Sequence, residues 1–171
     1  LRYNIGVFGL NNAGKTTLIG SISGNPVVDP VPTVGFSFHE FFSDEHTTHL
    51  YDLGGGPTIR GIWPSYFADI HAAIFVVDAS DPDRFAEASA ALESLRSHYR
   101  ADGKVLLVIA NKHDSPDAVP VDEVAKALNL PPVVTSASPP SDLRLVTLYA
   151  ARVPADERVD EAVGWLLGKV S

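Results

Sequence analysis

The amino-acid sequence predicts an α/β fold of three layers, in which a six-stranded, mainly parallel sheet carries helices on both faces. The first observation behind this prediction is that strand-like and helix-like segments alternate along the 171 residues. The second is that residues 72–78 and 104–110 are apolar almost throughout, as is typical of strands covered on both faces. The third is a pair of strand-like segments joined by the polar residues 43–46, which predicts one antiparallel hairpin. We expect residues 1–171 to form a single domain.

Each element has its own local signal. Six strands are predicted at residues 3–9, 36–42, 47–53, 72–78, 104–110 and 143–149. Four helices are predicted at residues 15–23, 82–99, 121–128 and 156–169. The second helix has Asp81 at its expected cap and Pro82 at its first position, where a missing N–H does no harm. Apolar residues recur at helical spacing on the second and fourth helices, namely Phe85, Ala88, Leu92, Leu95, Val159, Val163, Leu166 and Leu167.

Composition excludes several kinds of protein. The 13 basic and 21 acidic residues give a net charge of −8, which argues against a nucleic-acid partner. The chain has no cysteine, so disulfides, thiolate metal sites and a cysteine nucleophile are excluded, as fits a reducing compartment. No apolar stretch is long enough to span a bilayer and no secretory leader is visible, so we expect a cytoplasmic protein. The abrupt ends at Leu1 and Ser171 predict further segments outside this chain, through which it could associate with a membrane.

Residues 9–16, GLNNAGKT, match the phosphate-loop pattern G-x-x-x-x-G-K-S/T between a predicted strand and a predicted helix. Glycines allow backbone N–H groups to converge on a phosphate, and the helix N-terminus adds partial positive charge. Lys15 is expected to reach the β- and γ-phosphates, and the Thr16 hydroxyl to ligate Mg²⁺. The predicted phosphate-binding residues of this loop are Asn12, Ala13, Gly14, Lys15, Thr16 and Thr17. The pattern indicates a nucleotide but leaves its base undecided.

The run Asn111-Lys112-His113-Asp114 follows the apolar segment 104–110 and predicts recognition of guanine, with an ordinary polar turn as the alternative. The Asp114 carboxylate can accept hydrogen bonds from N1–H and the exocyclic amine of guanine, whereas adenine has no donors there. Such a site rejects the wrong base by roughly 10⁴-fold, because a buried carboxylate would be left unpaired. The Lys112 stem is expected to lie along the base, and Asn111 to tie this loop to the phosphate loop. Open α/β sheets bind ligands at this carboxyl end of their strands.

Two further segments are predicted to sense the γ-phosphate. Asp52, near the end of a strand, can hold Mg²⁺ through water. Gly55 can offer its N–H to the γ-phosphate at a range that a Cβ would block. Thr33, in a loop with three prolines, is placed to supply a second hydroxyl to Mg²⁺. Loss of the γ-phosphate would release both loops, which is how a switch works. The alternative is that residues 54–56 are a plain surface loop and Thr33 a solvated hydroxyl.

The chain resembles the Arf branch of the small GTPases over nearly its whole length. The matching motifs are G-L-x-x-A-G-K-T-T at residues 9–17, P-T-V-G-F at 32–36, D-L-G-G at 52–55 and I-R-x-x-W-x-x-Y-F at 59–67. The sequence around D-L-G-G-G and I-F-V-V-D-A-S-D is most similar to the ADP-ribosylation factor-like 13 group, which works in cilia and flagella. The resemblance implies the P-loop NTPase fold of small GTPases, with GTP or GDP and Mg²⁺ as ligands.

Gly56 stands where most Arf proteins carry the catalytic Gln, and the Arf-like 13 group also has Gly there. We therefore expect very slow intrinsic GTP hydrolysis and a protein that stays GTP-bound. The group is similar to scaffolds and nucleotide-exchange factors for the Arf-like 3 protein that act mainly in the GTP-bound form. The resemblance thus implies effector proteins or a partner GTPase. Part of that activity belongs to a helical extension after the G domain, which is not in this chain.

The resemblance also implies two further groups of site residues. A partner-binding surface would be formed by Phe36, Tyr51 and Tyr66, for which packing in the core is the alternative. The third base-contacting motif is placed at Ala151 and Arg152, with the Ala151 N–H on the guanine O6. Residues 135–138 look similar to this motif but lie about twenty residues before the closing helix.

Other interpretations remain open on the sequence. A competent GTPase could align its water with another residue or a partner, although not with His113, which lies on the base side. A binding module could hold nucleotide only as structure, without switching. An ATP-using kinase is disfavoured by residues 111–114. His46 and His49 lie close together near the hairpin tip, where solvated side chains are expected rather than a metal site.

Overall fold

The computed structural model describes residues 2–10, 13–15, 17–19, 36–42, 47–54, 59–64, 69–97, 104–130, 143–147 and 157–170. Six strands form one sheet, namely β1 (Arg2–Gly9), β2 (Phe36–Phe42), β3 (Thr47–Leu53), β4 (Ala72–Asp78), β5 (Val105–Asn111) and β6 (Leu143–Thr147). Three helices are α1 (Phe85–Ser97), α2 (Val121–Ala127) and α3 (Glu157–Val170), and Lys15 and residues 17–19 are helical as well. The predicted fold class is confirmed.

The order of the strands places the chemistry at one edge of the sheet. That order is β2-β3-β1-β4-β5-β6, with every neighbouring pair parallel except the hairpin β2–β3. Asp52 lies opposite Val7, and Asp78 lies opposite Asn111. The carboxyl ends of β1, β3, β4 and β5 therefore meet beside the start of the phosphate loop, where open sheets of this kind bind ligands.

Alternation along the strands divides the core into two layers, because successive side chains point to opposite faces. On β1, Val7 packs on one face and Phe8 on the other. The first layer joins the sheet to α1 and α2, and the second joins it to α3 and the helical residues 18 and 19. Leu92 of α1 and Leu166 of α3 are almost fully buried in these layers. The sheet is thus covered on both faces, as the apolar strands predict.

The helix ends differ from the sequence predictions in detail. The second predicted helix opens with a 3-10 turn at Pro82–Arg84, and Pro82 takes the first position as expected. Asp81 occupies the N-cap position as predicted, but its side chain makes no capping hydrogen bond. The predicted apolar faces are buried at Phe85, Ala88, Leu92, Leu95, Val163 and Leu166, while Leu167 is half-buried. The Val159 side chain lies outside the described part of the chain. None of the helices in the described residues has the length and apolar character needed to cross a membrane.

Truncation of a core residue on α1 should cost far more stability than truncation of an exposed one. We expect Leu92→Ala to lower the free energy of unfolding by about 2–5 kcal/mol, because the cavity left behind adds to the lost burial. Ser94→Ala, at an exposed position of the same helix, is the matched control and should stay within about 0.5 kcal/mol. Urea unfolding of both variants checks this, and equal midpoints would contradict the packing described here.

Candidate nucleotide-binding site

The phosphate loop leaves β1 through a backbone that only glycine tolerates. Gly9 has a φ of +146° and Gly14 a φ of +96°. A Cβ at Gly9 would collide with the carbonyl oxygen of Val76, and a Cβ at Gly14 with the side-chain nitrogen of Asn111. The Gly14 carbonyl oxygen accepts the Leu18 N–H at 3.0 Å, which begins the helical segment. The loop therefore curls tightly at both ends, as a phosphate cradle requires.

Lys15 lies inside this loop with only 6% of its surface exposed. Its ammonium donates hydrogen bonds to the carbonyl oxygens of Gly9 at 3.1 Å and Leu10 at 2.9 Å. Burial lowers the pKa of Lys15 to about 8, the Asp52 carboxylate opposes this, and the Arg84 guanidinium adds to it. The ammonium is thus held within the loop and poorly solvated, so a bound anion would stabilise its charged form.

Asp52 supplies the acidic side of the site. It lies near the end of β3 with none of its surface exposed, close enough to Lys15 to raise the pKa of the ammonium. A buried carboxylate beside a phosphate cradle suits a hard cation such as Mg²⁺, so these residues fit a magnesium nucleotide. The other predicted Mg²⁺ ligands, Thr16 and Thr33, lie outside the described residues. So do Asn12, Gly55 and Gly56, and these assignments stay predictions.

The base-reading loop is joined to the phosphate loop by one side chain. Asn111 ends β5 with 5% of its surface exposed, and its amide nitrogen donates to the Ala13 carbonyl oxygen at 3.0 Å. The predicted tie between the two loops is therefore present. Lys112 then turns the chain with a φ of +60°, and the Ser115 N–H closes the turn on the Lys112 carbonyl oxygen at 3.1 Å. Asp114 follows on the exposed side of this turn, and Ala151 and Arg152 lie outside the described residues.

Asp78 is a site residue to which the sequence analysis gave no role. Its Oδ2 accepts a hydrogen bond from the Lys112 ammonium at 3.1 Å. The only signal in the sequence was an acid at the carboxyl end of an apolar strand, which does not tell which strand lies beside it. The parallel pairing of β4 and β5 decides that it faces the base-reading loop.

Trp63 anchors the chain after the second predicted switch. Trp63 has 3% of its surface exposed, and its indole N–H donates a hydrogen bond to the Gly54 carbonyl oxygen at 3.0 Å. Its ring meets Phe8 edge-on at 5.2 Å and Phe75 at 6.4 Å between centroids. Gly54 is itself buried, so the alternative of a plain surface loop is wrong for that residue. In the sequence Trp63 stands out only as part of the I-R-x-x-W motif, and its contact with a carbonyl nine residues away carries no signal there.

The predicted partner-binding surface is described only at Tyr51. That residue is half-buried and packs against the first core layer, so core packing accounts for part of its surface. The Phe36 side chain and Tyr66 lie outside the described part of the chain. A partner-binding role for the three aromatic residues stays a prediction.

The expectation of a solvated His49 is wrong. His49 is 8% exposed, and its Nε2 lies 2.7 Å from a carboxylate oxygen of Glu40, directly across the β2–β3 pair. Cross-strand neighbours of this kind stabilise a hairpin, and the register that brings them together is not legible in the sequence. Within the described residues no group of three metal-ligating side chains occurs, and His46 lies outside them.

The pKa of Lys15 predicts a stability that depends on pH. Below pH 8 the folded protein carries a poorly solvated ammonium, so Lys15→Met should stabilise the nucleotide-free protein by up to about 3 kcal/mol. As the pH rises from 8 towards 10.5, folded Lys15 loses its proton before unfolded Lys15 does. The wild type should therefore gain stability and close the gap.

Urea unfolding of both proteins without nucleotide at pH 7 and pH 9.5 measures this gap. Lys126→Met, at an exposed position of α2, is the control and should show no such pH dependence. A difference between Lys15→Met and wild type that stays constant from pH 7 to 9.5 would contradict the prediction.

Comparison with known proteins agrees with the site. Residues 2–170 match the sequence profile of the ADP-ribosylation factor family. ADP-ribosylation factor-like protein 13B of Chlamydomonas reinhardtii is 38% identical over an alignment of 174 positions, gaps included, which covers 99% of this chain and 32% of the algal protein. This chain thus spans about a third of that relative. ADP-ribosylation factor-like protein 1 of Saccharomyces cerevisiae is 35% identical, with 94% of this chain and 84% of the yeast protein covered.

A solved structure gives the same answer for the fold. The Arl6 BBS3 small GTPase of Trypanosoma brucei, solved with the nucleotide analogue GppNp, superposes with a TM-score of 0.80 at 26% identity. The match covers 99% of this chain and 98% of the trypanosome chain. This chain belongs to the ADP-ribosylation factor family of small GTPases, which are GTP-binding switches.

Proposed function

We propose that this chain is a GTP-operated switch whose own GTP hydrolysis is very slow, and which acts on its partners in the GTP-bound form. The observation that carries the proposal is the hydrogen bond from Asn111 to Ala13, because it joins a guanine-reading loop to a phosphate cradle in a single site. The slow hydrolysis rests on Gly56, which has no side chain to orient the attacking water.

The described residues explain how the nucleotide would be held. Gly14 leaves room for the Asn111 amide that ties the two loops together, and the buried ammonium of Lys15 offers positive charge that water screens little. Asp114, at the end of the base-reading turn, selects guanine over adenine through its carboxylate. When bound, Mg²⁺ neutralises charge on the β- and γ-phosphates, and Asp52, Thr16 and Thr33 would hold it.

Switching would depend on the contacts that hold the chain on either side of Gly55. The bond from Trp63 to the Gly54 carbonyl oxygen fixes the chain immediately before Gly55. An ion pair of 2.7 Å between Arg60 and Glu87 ties the far side of the same segment to α1. The N–H of Gly55 would contact the γ-phosphate only while that phosphate is present, so its loss changes a short segment between two anchors.

The absence of a side-chain amide at residue 56 accounts for the proposed slow hydrolysis. Phosphoryl transfer is catalysed mainly by positioning and by charge stabilisation. Lys15 and the bound Mg²⁺ would supply the charge, but no residue is assigned to position the water. GTP would therefore persist until a partner completes the site or the nucleotide dissociates.

The partners are proposed from the likeness to the algal relative, of which this chain covers a third. We infer that the GTP-bound form recruits effector proteins, or serves as a scaffold or exchange factor for another Arf-like GTPase such as the Arf-like 3 protein. The proposed setting is the cytoplasm and the trafficking of a cilium or flagellum, with any membrane association made by segments outside this chain.

Gly14→Ala should destroy nucleotide affinity. We expect GDP and GTP to bind at least a hundredfold more weakly, because the new Cβ would displace the Asn111 amide and strain a positive φ. Titration with a fluorescent guanine nucleotide in Mg²⁺ measures the change. Gly164→Ala, where a Cβ meets nothing within 4 Å, is the matched control and should bind as the wild type does. Tight binding by Gly14→Ala would refute the cradle.

Gly56→Gln should restore hydrolysis without loss of binding. In single-turnover assays we expect the wild type to cleave GTP far more slowly than an ordinary small GTPase, and the variant to be at least tenfold faster. Gly61→Gln, at an exposed position with nothing within 4 Å of its Cβ, is the control and should leave the rate unchanged. Fast hydrolysis by the wild type would instead favour a competent GTPase. Identical partner binding with GDP and GTP would favour a non-switching module.

A further inference from the structure

We propose that Asp78 is a positioning residue for guanine-nucleotide binding, which acts by holding the ammonium of Lys112 beside the base-reading loop. This inference rests on the proposed function and assigns a role to a residue that lies one strand away from the loop it serves.

The sheet brings the two side chains together. β4 and β5 are parallel neighbours, and Asp78 at the end of β4 lies opposite Asn111 at the end of β5. Lys112 is the next residue, and its Nζ lies 3.1 Å from Oδ2 of Asp78. The two side chains are 33% and 21% exposed, so the pair is less screened by water and salt than a fully exposed one.

The carboxylate of Asp78 cannot turn freely. Its Oδ1 accepts the Ser80 N–H at 2.9 Å and the Ser80 hydroxyl at 2.5 Å. These two bonds occupy one oxygen and fix the plane of the carboxylate, which leaves the other oxygen directed at Lys112. A local turn therefore orients the ion pair. Ion pairs usually contribute little because both side chains lose freedom when they form, and here the carboxylate is already fixed.

The main chain reinforces the same contact. The Ala79 N–H donates to the Asn111 carbonyl oxygen at 2.9 Å, and the Ala79 carbonyl oxygen accepts the Val119 N–H at 2.8 Å. Lys112 has a φ of +60°, a conformation that costs a residue with a Cβ about 1 kcal/mol or more. Such a backbone persists only when its surroundings determine it, and here residues 78 and 79 hold Asn111 through the main chain and Lys112 through its side chain.

Asp78 also lies beside the phosphate loop. It lines a cavity of about 210 Å³ together with Leu10 and Ala13 of the phosphate loop. Asp81 and Arg84 line the same cavity, and the Arg84 guanidinium is hydrogen-bonded to Glu87. Asp78 therefore lies between the phosphate loop and the base-reading loop, and its carboxylate binds the Lys112 ammonium.

Preorganisation is the physical benefit. A lysine side chain carries about 2 kcal/mol of rotamer entropy, part of which must be lost when it packs along a base. An ammonium already tied to β4 has lost part of that freedom before the nucleotide arrives, so binding costs less. The benefit is the same for GDP and GTP because Lys112 serves the base and not the γ-phosphate.

Asp78→Asn is the sharpest test, because the amide keeps an oxygen for Ser80 and removes the charge that attracts Lys112. We expect fluorescent GDP and a non-hydrolysable GTP analogue to dissociate about five- to twentyfold faster, by the same factor for both, while the preference for GTP over ATP is kept. Lys112→Met, which keeps the stem and removes the ammonium, should show a similar rise. In the Lys112→Met background, Asp78→Asn should add nothing.

The controls separate positioning from folding. Asp81→Asn, at an acidic neighbour on the same cavity, should leave the dissociation rates unchanged. Ser80→Ala keeps both charges and loses one bond to Oδ1, so it should give a two- to threefold rise that also vanishes in Lys112→Met. This second variant keeps the test available if Asp78→Asn does not fold.

Two results would overturn the inference: wild-type dissociation rates for Asp78→Asn, or an equal effect of Asp78→Asn with and without the Lys112 ammonium. Either would leave the proposed function standing, provided that the wild type binds GDP and GTP. Failure of the wild type to bind guanine nucleotides would instead defeat the proposed function itself.

Discussion

The hydrogen bond from the Asn111 amide to the Ala13 carbonyl oxygen is the contact on which the nucleotide site depends. It crosses 98 residues of sequence and sets the distance between the part of the site that reads the base and the part that cradles phosphate. Gly14 must be glycine because the same amide occupies the space that a Cβ would fill. One side chain thus determines both the span of the site and the residue that can stand opposite it.

Charged side chains surround this contact. The Lys15 ammonium is buried on two carbonyl oxygens, with the Asp52 carboxylate near enough to raise its pKa and the Arg84 guanidinium near enough to lower it. The Lys112 ammonium is held on Asp78, at the next strand along. Lys15, Arg84 and Lys112 thus bring positive charge to this part of the fold although the net charge of the protein is −8. Local burial, and not the overall charge, decides which anions are attracted there.

Two contacts hold the chain before and after the second predicted switch. Trp63 binds the Gly54 carbonyl oxygen from within the core, and Arg60 binds Glu87 on α1. These contacts hold the chain on either side of the segment that carries Gly55 and Gly56. In the proposed switch, loss of the γ-phosphate would act on the short stretch between these two contacts.

Much of the architecture was predictable because it follows from local patterns. β2, β3 and β4 have the predicted bounds, since the polar tip at residues 43–46 delimits the hairpin and a continuous apolar run marks β4. The phosphate loop and the Asn111–Asp114 run were identified because their chemistry depends on spacing within a few residues. Asp81 takes the predicted cap position without its side-chain bond, because the residue preference fixes the place and not the side-chain geometry, and here a 3-10 turn begins the helix.

The amino-acid sequence alone therefore determined the strands and helices, their order along the chain, the two loops of the site and the glycine at residue 56. Only the tertiary structure decided which side chains meet, as in the pairing of Asp78 with Lys112, of Trp63 with Gly54 and of His49 with Glu40. Each of these pairs depends on strand order, on cross-strand register or on packing over the sheet. Such relations are long-range, and no local periodicity or motif encodes them.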